Sequence, residues 1–281
     1  MTPEPAIDTN TTTDPSANDG GALRAPGWLR MALELRAPME FAASLAAAPW
    51  LLNAPRGDGH SVIVYPGFLG SDFSTRPMRR LLRSLGHQAE GWGMGRNTGP
   101  RPEVLDQATK RIQALAQRRG DAVSLVGWSL GGVYARELAK RVPDSVRLVV
   151  TLGSPFSGEA GATNAERVFA WINRDQPRVS IARDALRTPP PVPTTSIYSR
   201  SDGVVAWQCS IQDMEIPVGG KVENIEVGAS HIGLGVNPFA LYALADRLAQ
   251  TKNGWQPFDR TGLRRFVFPD PTRKGYMGWS E

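Results

Sequence analysis

Apolar residues in this chain gather in short runs, and glycine, proline and polar stretches separate them. Ser61-Val62-Ile63-Val64-Tyr65, Ala122-Val123-Ser124-Leu125-Val126 and Val146 to Leu152 read as strands. His87 to Trp92 reads as a further short strand, and Thr194 to Tyr198 is a short β-prone run. Val222 to Val227 alternates in the manner of a strand. Helix-period segments lie between them. Thr75 to Leu85 predicts a basic helix, and Pro102 to Arg119 places Val104, Ala108, Ile112 and Leu115 on one face. Val133 to Arg141 predicts a helix after the third strand. Pro238 to Gln250 predicts a closing helix carrying Leu241, Leu244 and Leu248. Strands alternating with helices imply the α/β class, with a mostly parallel central sheet flanked by helices.

The margins of this pattern differ from its centre. Residues 1–26 are rich in Thr, Asp, Asn, Pro and Gly without apolar periodicity, and are expected to be a disordered tail. Residues 27–56 contain two helical pieces, Trp28 to Leu35 and Met39 to Leu52, broken at Pro38. Trp28, Met31, Leu35, Phe41, Leu45 and Leu52 form a candidate apolar face. The alanine-rich stretch Ala43 to Ala48 favours a helix packed on the core over one lying on a membrane. The main domain is then 57–281. Within it, residues 156–193 show no strand; Glu166 to Ile172 looks helical and Pro189-Pro190-Pro191 is stiff, so the region reads as a short lid-like insert. Phe169, Trp171 and Ile172 fit either an acyl pocket or ordinary packing.

Composition narrows the function. The 281 residues suit one large α/β domain, and 41% hydrophobic residues is ordinary for a packed core. No run approaches the roughly 18 apolar residues of a membrane-spanning helix. Residues 1–26 lack the basic start and apolar core of a secretory signal, and the single cysteine, Cys209, excludes an internal disulfide. Together these point to the cytoplasm. The net charge is +5, and Arg76, Arg79, Arg80 and Arg83 make one helix face basic. Acidic residues are interleaved elsewhere and no nucleic-acid motif accompanies that face, so it reads as a solvated face. Gly91, Gly93 and Gly95 lack dinucleotide-binding spacing, and no paired His/Cys spacing suggests a metal. No cofactor is expected.

Candidate chemistry centres on Gly127-Trp128-Ser129-Leu130-Gly131, which follows a strand and precedes a helix. This G-x-S-x-G context is that of a nucleophile elbow, a strained turn that holds a serine hydroxyl out of the sheet top. Of three histidines only His231 follows Ser129. It sits just past the strand ending at Val227, at the same sheet end as the elbow. Asp202 lies on the loop after Thr194 to Tyr198, where an acid can orient the imidazole; Asp213, Glu223 and Glu226 are its competitors. An Asp-Gly turn also fits Asp202, and the two roles are compatible. An oxyanion hole would take one backbone N–H from Leu130 and one from Phe68, where Gly67 lets the chain turn after the first central strand. Trp128, Trp171 and Trp207 are candidate substrate-binding residues.

These residues resemble the α/β-hydrolase superfamily, in particular its bacterial esterase and lipase group, from about Gly57 to Leu248. Many lipases carry His-Gly before the oxyanion residue, and here the matching pair is Pro66-Gly67. Arg56-Gly57-Asp58-Gly59-His60, Gly91-Trp92-Gly93-Met94-Gly95-Arg96-Asn97 and Tyr198-Ser199-Arg200-Ser201-Asp202-Gly203 are similar to bacterial proteins described as hydrolase or acyltransferase. The resemblance implies a Ser-His-Asp hydrolase but no substrate; the short insert and the many tryptophans suggest a small apolar ester or acyl group. An acyltransferase with the same triad and a non-catalytic binding protein of the same fold are the alternatives.

Overall fold

The computed structural model describes residues 24–157, 162–164, 183–214 and 221–272. Six strands form one fully parallel sheet: β1 (Ser61–Tyr65), β2 (Gln88–Gly91), β3 (Val123–Trp128), β4 (Val146–Leu152), β5 (Thr194–Tyr198) and β6 (Val222–Glu226), in the spatial order β2-β1-β3-β4-β5-β6. Alternate side chains of each strand enter opposite layers. Val62, Val64, Val150 and Ile225 face one apolar layer, with Leu82, Leu241, Leu244 and Leu248. Ile63, Tyr65, Leu125 and Val149 face the other, with Leu105, Ile112, Tyr134 and Leu138. Both faces are therefore covered, which is why β1, β3 and β4 are apolar almost without interruption.

The N-terminal region is three short helices, α1 (Trp28–Ala32), α2 (Ala37–Ala46) and α3 (Ala48–Leu51), with a 3-10 turn at Leu33–Arg36. Pro38 and Pro49 stand in the first turns of α2 and α3, so Pro38 begins a helix rather than breaking one. The expected apolar face is inverted. Trp28, Leu35 and Leu45 are 76%, 83% and 62% exposed, while Glu34, Ala37, Ser44 and Leu51 are buried. The core accepts Glu34 because three backbone N–H groups wait for it.

In the main domain, α4 (Arg76–Ser84), α5 (Pro102–Arg119), α6 (Leu130–Arg141), α7 (Arg183–Arg187) and α8 (Pro238–Leu248) alternate with the strands. On the basic helix α4, Arg83 Nε donates to the Ala89 carbonyl at 2.8 Å, so part of that charge serves to hold β2. α6 begins at Leu130, immediately after Ser129, three residues earlier than its apolar spacing alone predicts. Its Arg136 is fully buried. Burial lowers the Arg136 pKa to about 9, yet the guanidinium keeps partners: Gln212 Oε1 at 3.0 Å and the carbonyls of Leu186, Arg187 and Thr188. One buried cation thus pins the returning end of the insert to α6. Trp171, Phe169 and the expected helix at Glu166 to Ile172 lie outside the described residues, as do residues 1–23. Among the described residues no helix is long and apolar enough to cross a membrane.

Candidate active site

Ser129 stands where β3 ends and α6 starts, with φ 53° and ψ −125°, a backbone conformation that L-residues seldom adopt. The turn closes because Ser129 N–H donates to the Leu152 carbonyl and Gly132 N–H to the Ser129 carbonyl, at 2.8 and 2.9 Å. The residues two positions to either side of Ser129 must be glycine. A methyl group on Gly127 would overlap the backbone of Gly131 and Gly132, and one on Gly131 would overlap the Tyr65 carbonyl. The sequence pattern thus has a steric cause: the elbow is pressed onto the end of β1.

His231 Nε2 lies 2.9 Å from Ser129 Oγ, and His231 Nδ1 lies 2.6 Å from Asp202 Oδ2. Asp202 is 2% exposed. Its second oxygen, Oδ1, accepts from the N–H groups of Val204 and Val205 at 2.8 and 2.7 Å. The turn reading and the pairing reading of Asp202 therefore hold together, one through each oxygen. The pair sits over Gly153, whose φ of 56° carries the chain away from β4; a side chain there would press on Leu234, Asp202 and His231. Ser199 Oγ, which donates to the Ala229 carbonyl at 2.6 Å, ties the acid loop to the histidine loop. Burial pushes the His231 imidazole down. The charge and hydrogen bond of Asp202, with the charge of Glu34, outweigh burial and hold its pKa above the ordinary histidine value.

Two of the competing acids, Glu226 and Glu223, are committed elsewhere. Glu226 pairs with Arg200 at 3.1 Å and accepts from the Tyr198 hydroxyl, and Glu223 pairs with Arg247 at 2.7 Å. Around the serine, a side chain on Gly67 would press on Ser129, its Cβ only 3.2 Å from that of the serine, so the Gly67–Phe68 turn lies against the elbow. Leu130 is the first residue of α6, so its N–H has no acceptor within the helix.

Trp128 and Trp207 are occupied in packing. Trp128 Nε1 donates to the His231 carbonyl at 3.1 Å, and a side chain on Gly235 would press on its ring, so it supports the histidine loop from below. Trp207 stacks on Tyr198 at 5.8 Å beneath the Arg200 guanidinium. A cavity of about 360 Å³ lies behind the acid loop, lined by Ser199, Arg200, Glu226, Phe239 and Phe266; Ser129 and His231 are not part of its wall. Among the described residues no group of three His, Cys, Asp or Glu side chains is arranged to hold a metal.

Two further polar residues escaped sequence reasoning. One is Glu34, a buried carboxylate of the N-terminal region. The other is Asn97, which is fully buried. Its Nδ2 donates to the Pro66 carbonyl at 2.8 Å and its Oδ1 accepts from Gly99 N–H. Its backbone carbonyl accepts from Leu69 N–H and its own N–H donates to Gly70, at 2.7 and 2.8 Å. Asn97 therefore templates the Pro66–Gly70 turn, in which Leu69 is held at φ 60°. Asn97→Ala leaves the buried Pro66 carbonyl without that donor and is expected to cost about 1–3 kcal/mol of stability in urea unfolding. A loss below about 0.5 kcal/mol, the scatter of ordinary surface changes, would mean the turn is held by other contacts.

A second Ser-His-Asp line runs at the other end of the sheet. Ser124 Oγ lies 2.7 Å from His60 Nε2, and His60 Nδ1 lies 2.6 Å from Asp58. Ser124 is fully buried in β3, and burial lowers the His60 pKa despite Asp58. His87 packs edge-on against His60 at 4.9 Å, and burial takes its pKa down to about 4. With no elbow and with Ser124 and His60 buried, this line is a polar staple between the start of β1 and β3 that meets solvent only at Asp58.

The chain has the α/β-hydrolase fold. Aspergillus fumigatus lipase B superposes with a TM-score of 0.51 at 18% identity, over 70% of this chain and 54% of that one, so the match spans about half of the lipase. Two metagenome-derived lipolytic enzymes, LipS and LipT, are represented by a structure at TM-score 0.46 and 16% identity, over 64% of this chain and 89% of that one. An extracellular α/β-hydrolase from a Paenibacillus species gives 0.46 at 13% identity, over 68% of this chain and all of the other. No family model matches the sequence, and no curated protein matches it.

Proposed function

We propose that this chain is a serine hydrolase that cleaves carboxylic esters through an acyl-enzyme. The observation that carries the reading is the hydrogen-bonded line Ser129–His231–Asp202 at 2.9 and 2.6 Å, built on a strained elbow whose serine is partly exposed. In this reading Ser129 Oγ attacks the ester carbonyl and its proton passes to His231 Nε2. The carbonyl oxygen becomes an oxyanion held by the Leu130 N–H and the backbone of Phe68. The tetrahedral intermediate collapses, the C–O bond breaks, and the alcohol leaves with the proton from His231. Water then attacks the acyl group with His231 as base, and Ser129 is regenerated. Asp202 holds the Nδ1 proton and stabilises the imidazolium in both halves.

An apolar acyl group suits the rim. Leu69, next to Phe68, and Ile232, next to His231, are both exposed there. The reading is tested with p-nitrophenyl butyrate and a fluorophosphonate probe. A burst of p-nitrophenol equal to the enzyme concentration is expected when acylation outruns deacylation, with the probe mapping by mass spectrometry to Ser129. A protein that neither turns over esters from acetate to octanoate nor takes the probe is not this enzyme.

A further inference from the structure

Glu34 reaches the candidate triad from the opposite end of the chain. Its side chain is buried, with the residue 8% exposed. Oε1 accepts from the N–H groups of Gly203 and His231, both at 2.8 Å, and Oε2 accepts from Ile232 N–H at 2.9 Å. An ionised carboxylate is acceptor-only, and three converging donors match it. No lysine or arginine among the described residues pairs with Glu34. The donors are a selected set: Gly203 follows Asp202 directly, and the other two are His231 and its neighbour.

The surroundings repeat this choice. Arg36 Nη2 donates to Ser201 Oγ at 2.6 Å, on the other side of Asp202. Glu40, paired with Arg36 at 2.9 Å, accepts from Ser230 N–H at 2.8 Å and Ser230 Oγ at 3.1 Å, on the other side of His231. Gly203 approaches this N-terminal strap, Arg30 to Glu40, so closely that a methyl group there would overlap the Arg30 carbonyl. The segment Arg30 to Glu40 thus grips the residues flanking both Asp202 and His231, although it is separated from them by most of the chain.

We propose that Glu34 is a positioning residue for the candidate triad, setting the backbone of the acid and histidine loops and placing a second carboxylate beside the imidazole that receives the serine proton. This rests on the ester-hydrolase reading above. A hydrogen bond that fixes the main-chain N–H of His231 limits how far Nε2 can drift from Ser129, and misplacement by about 1 Å can cost about a hundredfold in rate. The charged groups facing His231 are Asp202 from the loop after β5 and Glu34 from the N-terminal strap, with the Glu40–Arg36 pair one residue away. The elbow and the end of β4 present only uncharged groups. The charge of Glu34 raises the His231 pKa, so its removal lowers that pKa and moves the acidic limb of kcat/KM to lower pH.

The experiment measures kcat, KM and the pH profile on p-nitrophenyl butyrate for the full chain, Glu34→Gln and Gly203→Ala, with Leu35→Ala as a neighbouring exposed control. Glu34→Gln keeps the shape but turns an N–H₂ donor toward a backbone N–H. We expect kcat to fall about 10- to 100-fold with KM within about threefold, and the acidic limb to move to lower pH. Gly203→Ala keeps the Glu34 charge but lifts the acid loop off the strap. Its kcat should fall by a similar factor, and it serves as the second variant should Glu34→Gln fold poorly. Glu34→Gln within twofold of wild type at every pH, or a fall in kcat with an unmoved limb, overturns the proposal; the latter marks a purely structural anchor. In both cases Ser129-dependent turnover by the wild type leaves the hydrolase reading standing. A wild type without such turnover overturns both.

Discussion

Ser129→Ala is expected to abolish ester turnover and fluorophosphonate labelling without unfolding the protein. Loss of a triad nucleophile costs on the order of a millionfold in kcat, so activity should fall to the level of the buffer. The fold should survive because the turn at Ser129 is made by its backbone, through Leu152 and Gly132, and by the glycines packed around it. Ser129→Gly separates strain from chemistry. It is equally inactive, but it relieves a φ of 53°. We expect it to be more stable than Ser129→Ala by about 1 kcal/mol in urea unfolding. Retained turnover in either variant sinks the assignment of the nucleophile. Equal stability of the two would mean that the elbow stores no strain.

Asp202→Asn is expected to lower kcat/KM by at least about a hundredfold, roughly 2.7 kcal/mol. The equivalent change in a serine protease costs about four decades. Asp202 uses its two oxygens differently, and this sets the size of the effect. Oδ1 can keep accepting from Val204 and Val205 after the change, so the turn persists. The amide N–H₂ then faces His231 Nδ1, which must present its lone pair. The proton moves to Nε2, and the imidazole can no longer take one from Ser129. Asp213→Asn and Glu226→Gln are the controls, and only Asp202→Asn should fall this far. Glu226 also holds Arg200, so Glu226→Gln should lose stability before it loses chemistry. If either control falls further while Asp202→Asn retains more than a tenth of wild-type kcat/KM, the triad acid lies elsewhere.

What could be read in the chain, and what could not, divides by the range of the forces involved. The parallel α/β architecture was legible because both faces of β1, β3 and β4 are covered, which forces continuous apolar runs. The elbow was legible because its constraint is local: Gly127 and Gly131 are excluded from having side chains by atoms a few residues away or at the end of β1. Chain order then nominated His231 and Asp202, and these lie within hydrogen-bonding distance of one another and of Ser129. Order also mattered negatively. Ser124, His60 and Asp58 form a similar line of hydrogen bonds, and the burial of Ser124 and His60 together with the lack of an elbow separates it from a site.

The N-terminal segment is where sequence reasoning failed. Its apolar spacing suggested an inward face of Trp28, Leu35 and Leu45, yet these are exposed and Glu34 is inside. Periodicity assumes that burial follows hydrophobicity, but a carboxylate can be buried where backbone donors compensate its lost water. Those donors, on Gly203, His231 and Ile232, carry no side-chain signature, and neither does the Pro66 carbonyl that Asn97 satisfies. By itself, then, the sequence determined the sheet, the elbow and the identity of the three candidate side chains, because apolar burial and glycine sterics leave local marks. Which loops are held in register around them, and by which distant residues, was decided only by the tertiary structure, because main-chain N–H and C=O groups are the same at every residue and only folding brings a particular pair together.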